Sequence, residues 1–223
     1  MVTKGVLAEP KEGWRFDAVE EAAGFPLDAS RREALGTWLS ELCVWNARMD
    51  LTAAKTPDEL IELMVTDALV LAAEIPPSIA RKTVVDVGTG AGAPGLALAF
   101  VRPDLALTLV DPLNKRIAFL RTILGRLRRS DVTLVTGHGE KLGKASFDVA
   151  VSRATLNPEE WVALGMELVR PGGTVFALLA SNDAAHDPSG RDPAGSRNYA
   201  WPFSGRGRRI VRYPRDVVIS QAP

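Results

Sequence analysis

The stretch Val84-Val85-Asp86-Val87-Gly88-Thr89-Gly90-Ala91-Gly92-Ala93-Pro94-Gly95 limits what this chain can fold into more than any other. Its first residues are apolar and largely β-branched, as in a buried strand, and an apolar helical segment follows over Ala93–Val101. Between them lie four glycines in eight residues, which let the chain turn tightly and let backbone approach a ligand with no Cβ in the way. A glycine loop that leaves a strand and enters a helix sits at the carboxyl end of a parallel sheet, where α/β proteins bind ligands. The segment Gly88-Thr89-Gly90-Ala91-Gly92-Ala93 satisfies the dinucleotide fingerprint, and Asp111 lies 23 residues after Gly88, close to the separation expected of a ribose-binding acid. That arrangement serves NAD and S-adenosylmethionine alike. Two features favour the second. Asp86 places a carboxylate just before the glycines, where it attracts an ammonium and repels a pyrophosphate. Pro94 removes a backbone N–H near the helix start, where a pyrophosphate wants donors. Each aspartate also has a plainer use, as a cap for the helix that follows it.

The rest of the chain fits a doubly wound α/β sheet with helices on both faces and an N-terminal helical extension. Residues 1–80 read as the extension and 81–223 as the sheet domain. Ser30-Arg31-Arg32-Glu33 has the pattern of a capping box, and Leu35, Trp38, Leu39, Leu42, Trp45 and Met49 follow on one helical face. Thr56-Pro57-Asp58-Glu59 opens a second helix, which Pro76-Pro77 ends. Strands are expected at Thr83–Val87, Leu105–Val110, Val132–Thr136, Phe147–Ser152 and Thr174–Leu179, the last entered through a turn at Pro171-Gly172-Gly173. Helices are expected over Asn114–Arg128 and from Asn157 to about Val169. Strands alternating with helices imply parallel pairing. Residues 182–198 read as a long loop, and Arg208–Tyr213 and Val217–Ser220 as two further strands.

The formal net charge is zero, from 27 basic and 27 acidic side chains, which by itself argues against a nucleic-acid partner. The total hides an asymmetry. Residues 1–70 carry seven basic and thirteen acidic side chains, and residues 71–223 carry twenty and fourteen. Lys115, Arg116, Arg121, Arg126, Arg128 and Arg129 cluster in one helical segment with no acid among them. Arg191, Arg197, Arg206, Arg208, Arg209, Arg212 and Arg215 interleave with Tyr199, Trp201, Phe203 and Tyr213, a mixture suited to phosphate pairing and base stacking. A solvated helix face and an arginine-rich surface loop are the plainer readings of the two clusters. A single cysteine, Cys43, excludes an internal disulfide and a multi-cysteine zinc site. No apolar run approaches the roughly 18–20 residues that cross a bilayer. No metal, no membrane, a monomer and a cytoplasmic location are therefore the expectations.

Several segments together resemble the GidB/RsmG family, bacterial S-adenosylmethionine-dependent methyltransferases of a guanine N7 in 16S ribosomal RNA. They are Asp86–Gly95, Arg102-Pro103-Asp104, the run Leu107–Arg116 with Phe119-Leu120-Arg121, and Ser152-Arg153-Ala154. Trp45-Asn46 and Asp50-Leu51-Thr52-Ala53 add to the likeness upstream. The resemblance implies a Rossmann-like methyltransferase fold and S-adenosylmethionine as cofactor. By it, Gly88 and Ala93 contact the cofactor, Gly139 and Glu140 lie along the adenosine, and Arg153 binds just past the fourth strand. With the loop reading, the expected cofactor set is Asp86, Gly88, Gly90, Gly92, Ala93, Asp111, Gly139, Glu140 and Arg153. Arg153 is also the candidate nearest the transfer site, and no catalytic residue is assigned. RNA contacts are expected from Arg116, Arg206, Arg208 and Arg209. Guanine N7 has a free lone pair at neutral pH, so no general base is required, and His138 reads as a polar neighbour of the cofactor.

The chain departs from the family pattern at several places. Leu63, Met64, Asp67 and Ala68 stand where the family has a basic residue and a histidine ahead of an Asp-Ser pair. His138 replaces an arginine, Thr155 an aromatic residue, and Leu179-Ala180-Ser181-Asn182 a segment with Lys-Gly. A methyltransferase for another substrate, a non-catalytic S-adenosylmethionine-binding module and, more remotely, a dehydrogenase remain as alternatives.

Overall fold

The computed structural model describes residues 7–153, 156–181 and 193–217. Five strands pair in parallel: β1 (Lys82–Val87), β2 (Leu105–Asp111), β3 (Thr133–Thr136), β4 (Phe147–Arg153) and β5 (Val169–Ala180). Two more, β6 (Gly195–Ala200) and β7 (Gly207–Pro214), complete the sheet antiparallel, in the order β3-β2-β1-β4-β5-β7-β6. The chain builds outward from β1 to β3, then returns to lay β4 on the other side of β1. That reversal opens a crevice at the carboxyl ends of β1 and β4.

Alternation along the strands sends side chains to two apolar layers. Val84, Leu107, Leu109, Val149, Val151, Phe176 and Leu178 face α2 (Ala29–Met49), α4 (Asp67–Glu74), α5 (Gly95–Val101) and α6 (Asn114–Arg126). Val85, Val87, Val110, Ala150, Val175 and Ala177 face α7 (Pro158–Leu168) through Trp161, Val162 and Leu168. The N-terminal helices, α1 (Phe16–Ala23), α2, α3 (Pro57–Ile61) and α4, share one continuous core with the sheet. Trp38 packs edge-on to Phe100 at 6.2 Å, and Trp45 packs on Phe119 at 5.5 Å.

Helix starts follow local side-chain chemistry, with one shift from expectation. Thr56 and Asn157 accept from the N–H groups of Glu59 and Glu160. Glu59 closes back on the N–H of Lys55, one residue upstream of a standard capping box. Ser30 is not the cap of α2. Asp28, still extended at ψ 171°, accepts from the Arg31 N–H at 2.8 Å and starts the helix at Ala29.

Two further expectations are corrected. Pro171-Gly172-Gly173 lies within β5 rather than before it, and the β4–β5 register shifts opposite this segment, between Phe147 and Val149. In the tail, β7 matches the Arg208–Tyr213 expectation, but its second partner is β6, drawn from the end of the expected loop. Val217 lies outside any strand, and residues 218–220 fall outside the described residues. β6 reads as a loop because Gly195, Ser196 and Asn198 have weak strand propensity. On a sheet edge with one face in solvent, that composition is tolerated. Among the described residues, no helix is long and apolar enough to cross a membrane.

Gly165 sets the approach of α7 to the sheet, since a Cβ there would lie 2.6 Å from Val175 Cγ1. Gly165→Ala is expected to cost about 1–3 kcal/mol by overpacking. Gly125→Ala, on the exposed side of α6 with nothing within 4 Å of the added carbon, is expected to gain up to about 1 kcal/mol. Denaturant unfolding of the two variants tests this; equal effects would contradict the packing assigned to α7.

Candidate active site

A cleft of about 260 Å³ lies at the carboxyl end of β1. The glycine loop forms one side through Gly88, Thr89, Gly90, Ala91 and Ala93, with Arg116 and Arg153 beside it. Leu51, Thr52, Ala53, Leu63 and Met64 of the N-terminal segment close the other side. Asn46 shapes that second wall, its Oδ1 accepting from the N–H groups of Leu51 and Thr52.

The loop is held from three directions. Gly88 and Thr89 donate to the Val110 carbonyl at 2.8 and 3.0 Å, tying the loop to β2. Trp38 donates its indole N–H to the Ala91 carbonyl from α2. Beneath the loop, Asp86 accepts from the Gly95 N–H at 2.8 Å, and Asp111 accepts from the Gly90 N–H at 3.0 Å. The glycines divide their work. Gly90, at φ +61°, has open space where a Cβ would project, so a ligand can approach its backbone. Gly92, at φ +114°, packs inward, and a Cβ would lie 2.8 Å from Leu96 Cβ.

Asp86 satisfies the first N–H of α5 from below, whereas Asp111 holds Leu113, the residue before α6, and α6 has no side-chain cap. Asp86 is fully buried and does not line the cleft. Burial pushes its carboxyl up to about 6, against the pull of the Gly95 N–H and Arg153. Its Oδ1 has no hydrogen-bond partner, nor has Thr89 Oγ1 beside it. Asp111 is likewise buried. Oδ1 accepts from the Leu113 N–H, and Oδ2 accepts from both Gly90 and Arg116. A carboxylate offers about four acceptor sites, so three are used.

Arg116, expected on an RNA face, instead lines the cleft and pairs with Asp111 at 3.0 Å. Arg153 also lines it, with its guanidinium donating to the Leu63 carbonyl and to Asp67. Gly139 is buried against Val87 at the tip of β1, and Glu140 beside it is exposed, as is His138. Ala154 and Thr155 lie outside the described residues.

The basic helix α6 is largely paired within the molecule. Lys115 donates to the Met49 carbonyl at the end of α2, Arg126 pairs with Glu41, and Arg129 with Asp131. In the tail, Arg206 is exposed at the β6–β7 turn, Arg209 donates to Ser196 Oγ, and Arg208 stacks on Trp201.

Sequence reasoning passed over two buried acids, Glu62 and Asp67. A π turn over Glu62–Thr66 joins α3 to α4. Its hydrogen bonds run i to i+5, which brings residues five apart onto one face; in an α-helix they diverge by about 140°. Glu62 accepts from the N–H groups of Phe203 and Ser204. Asp67 Oδ1 accepts from the Tyr199 hydroxyl at 2.7 Å and the Trp201 indole at 2.8 Å. Two acids in an otherwise apolar helical stretch were the available signal; their partners, more than 80 residues away, were not.

The profile of one family, described as rRNA small subunit methyltransferase G, matches residues 31–187. The chain belongs to the GidB family. A ribosomal RNA small subunit methyltransferase G of Anaeromyxobacter dehalogenans (strain 2CP-C) is 38% identical over 204 residues, covering 87% of this chain and 94% of the relative. Its counterpart in Myxococcus xanthus (strain DK1622) is 32% identical, covering 87% and 93%. A geranyl diphosphate methyltransferase solved with GPP and sinefungin is similar in fold, with a TM-score of 0.56 at 11% identity over 85% of this chain and all of that one. The Rossmann-like methyltransferase fold expected from the sequence is the fold observed.

The buried Asp86 gives this GidB chain a pH signature. Its folded-state pKa of about 6 lies above the ordinary 3.8. The unfolded chain therefore binds fewer protons between those values, and stability falls as pH rises through that window. Asp86→Asn removes this dependence while keeping an acceptor for Gly95. Relative to the native chain, the variant is expected to gain stability between pH 4 and pH 7, by at most about 3 kcal/mol. A difference that stays flat with pH, measured by denaturant unfolding, would contradict it.

Proposed function

We propose that this chain transfers a methyl group from S-adenosylmethionine to a guanine N7 of 16S ribosomal RNA. The observation that carries the reading is the cleft, with open glycine backbone on one side and two arginines at its rim, in a chain of this family. The residues present suit this cofactor better than a dinucleotide. The start of α5 offers little to a pyrophosphate, because Pro94 has no N–H and that of Gly95 is taken by Asp86. Two buried carboxylates under the loop favour a ligand carrying positive charge. Arg153 brings a guanidinium suited to a carboxylate, and Asp111 retains an acceptor site for a ribose hydroxyl. Gly88, Gly90 and Ala93 would lie along the ligand. Gly139 and Glu140 stand at the same sheet edge, where the adenosine is expected.

When bound, S-adenosylmethionine supplies a methyl on a sulfonium; the N7 lone pair forms the new bond as the carbon–sulfur bond breaks onto sulfur, giving a thioether and a cationic 7-methylguanine with no proton moved. The protein's task is therefore alignment and exclusion of water. RNA contact falls to the tail, with Arg206 exposed at the β6–β7 turn and Arg208 and Arg209 on β7 behind it. A small-subunit substrate places the activity in the cytoplasm. Leu63 and Met64 on the cleft wall, in place of a basic residue and a histidine, favour the second reading, a methyltransferase for another substrate.

Nucleoside analysis of small-subunit RNA from a deletion strain is expected to show loss of a 7-methylguanosine, restored by the native gene; an unchanged content would remove the ribosomal assignment. In binding assays with small subunits, Arg206→Ala is expected to weaken association and lower the salt slope by about 1, as for one lost phosphate contact. S-adenosylmethionine affinity should not change. A slope equal to that of the native chain would take Arg206 out of the RNA face.

A further inference from the structure

A second cavity, of about 380 Å³, opens at the carboxyl ends of β4 and β5. Its walls include Ser152, Leu156, Pro158, Trp161, Leu179 and Arg208. We propose that this cavity takes the acceptor base, that Arg208 recognises it, and that Asp67 is a positioning residue holding Arg208 and Arg153 in place. The inference rests on the RNA methyltransferase reading above and names the site of its second substrate.

Ser152 and Arg153 are consecutive at the tip of β4, yet Ser152 lines this cavity and Arg153 lines the cofactor cleft. One carboxylate links an arginine of each lining. Asp67 Oδ2 lies 3.2 Å from Arg153 Nη1 and 3.5 Å from Arg208 Nη2. One buried carboxylate oxygen thus carries a guanidinium from each cavity, so donor and acceptor spaces adjoin at the sheet edge. A transfer between two bound partners requires that adjacency.

Most of the lining residues are apolar, though the surface they present is mixed polar and apolar; Trp161 is among them, its indole N–H already given to the Phe176 carbonyl. Ser152 Oγ is likewise committed, to the Val87 carbonyl. Arg208 supplies the charge. Its guanidinium stacks 4.9 Å from the Trp201 ring, which restrains its plane, and its Nε is buried without a hydrogen-bond partner. A flat, uncharged ring with a carbonyl acceptor on one edge matches such a space. Guanine is such a ring, with O6 on the same edge as N7. A hydrogen bond from Arg208 to O6 orients the base and leaves the N7 lone pair for the methyl group.

Asp67 is 1% exposed; it accepts hydrogen bonds from Tyr199, Trp201 and Arg153 and forms an ion pair with Arg208 at 3.5 Å. Trp201 is gripped twice over, by Asp67 at its N–H and by Arg208 across its face. The plane of Arg208 is therefore set by a buried acid on the N-terminal helix.

The test uses the full chain and four proteins: native, Arg208→Met, Ala180→Trp at the exposed rim of the cavity, and Asp67→Asn. Calorimetry gives S-adenosylmethionine affinity, and labelled cofactor gives the single-turnover rate on small subunits from a deletion strain. Arg208→Met and Ala180→Trp are expected to bind cofactor within twofold of native and to transfer at least tenfold more slowly. Asp67→Asn is expected to lose on both readouts, because it releases Arg153 as well. Native transfer rates in Arg208→Met or Ala180→Trp would overturn the proposal. So would a loss of cofactor affinity in Arg208→Met as large as in Asp67→Asn, which would make Arg208 merely structural. If the native chain binds cofactor but methylates no small-subunit RNA, the functional reading fails in that arm and takes the base pocket with it.

Discussion

Two buried carboxylates under a glycine loop hold the functional edge of this molecule together. Asp86 fixes the N–H of Gly95 and Asp111 that of Gly90, so the most flexible stretch of backbone is pinned at both ends. Without such anchors, a loop with this many glycines would be costly to order. The same two contacts decide what the loop can hold. They consume the N–H group at the start of α5 and place negative charge below the cleft, which disfavours a pyrophosphate and favours a ligand bearing a cation.

The zero net charge acquires a structural meaning. Acids among residues 1–80 pair with bases among residues 81–223. Glu41 pairs with Arg126, Asp67 with Arg153 and Arg208, and Glu74 with Arg197. The exposed pairs contribute little to stability, whereas Asp67 is buried. Much of the basic excess of residues 71–223 is therefore spent inside the molecule. What stays outward includes Arg206 at the β6–β7 turn and, on the other side of the sheet order, Arg121 of α6 and Arg128 just after it.

What the sequence disclosed follows from the range of the physics involved. β1, the glycine loop and β2 were legible because strand periodicity, glycine clustering and the spacing to Asp111 are all local. Thr56 and Asn157 were legible as caps for the same reason. Asp28 displaced Ser30 because both are good caps and only the backbone path decides between them. β6 was hidden because its residues favour a loop, and its pairing with β7 overrides that preference. The roles of Arg116, Arg208 and Asp67 were hidden for a different reason. A charged side chain announces its charge in the sequence but not its partner, and Asp67 meets its partners, 86 to 141 positions further along the chain, only once the sheet has formed.

The central claim is that the loop is built for S-adenosylmethionine, with Asp111 as its ribose acceptor. Titration calorimetry of the full chain with S-adenosylmethionine and, separately, with NAD tests it most directly. The account predicts a single site for S-adenosylmethionine, weakened at least tenfold by Asp111→Ala, and no binding of NAD. Binding of NAD without S-adenosylmethionine, or full affinity in Asp111→Ala, would contradict it.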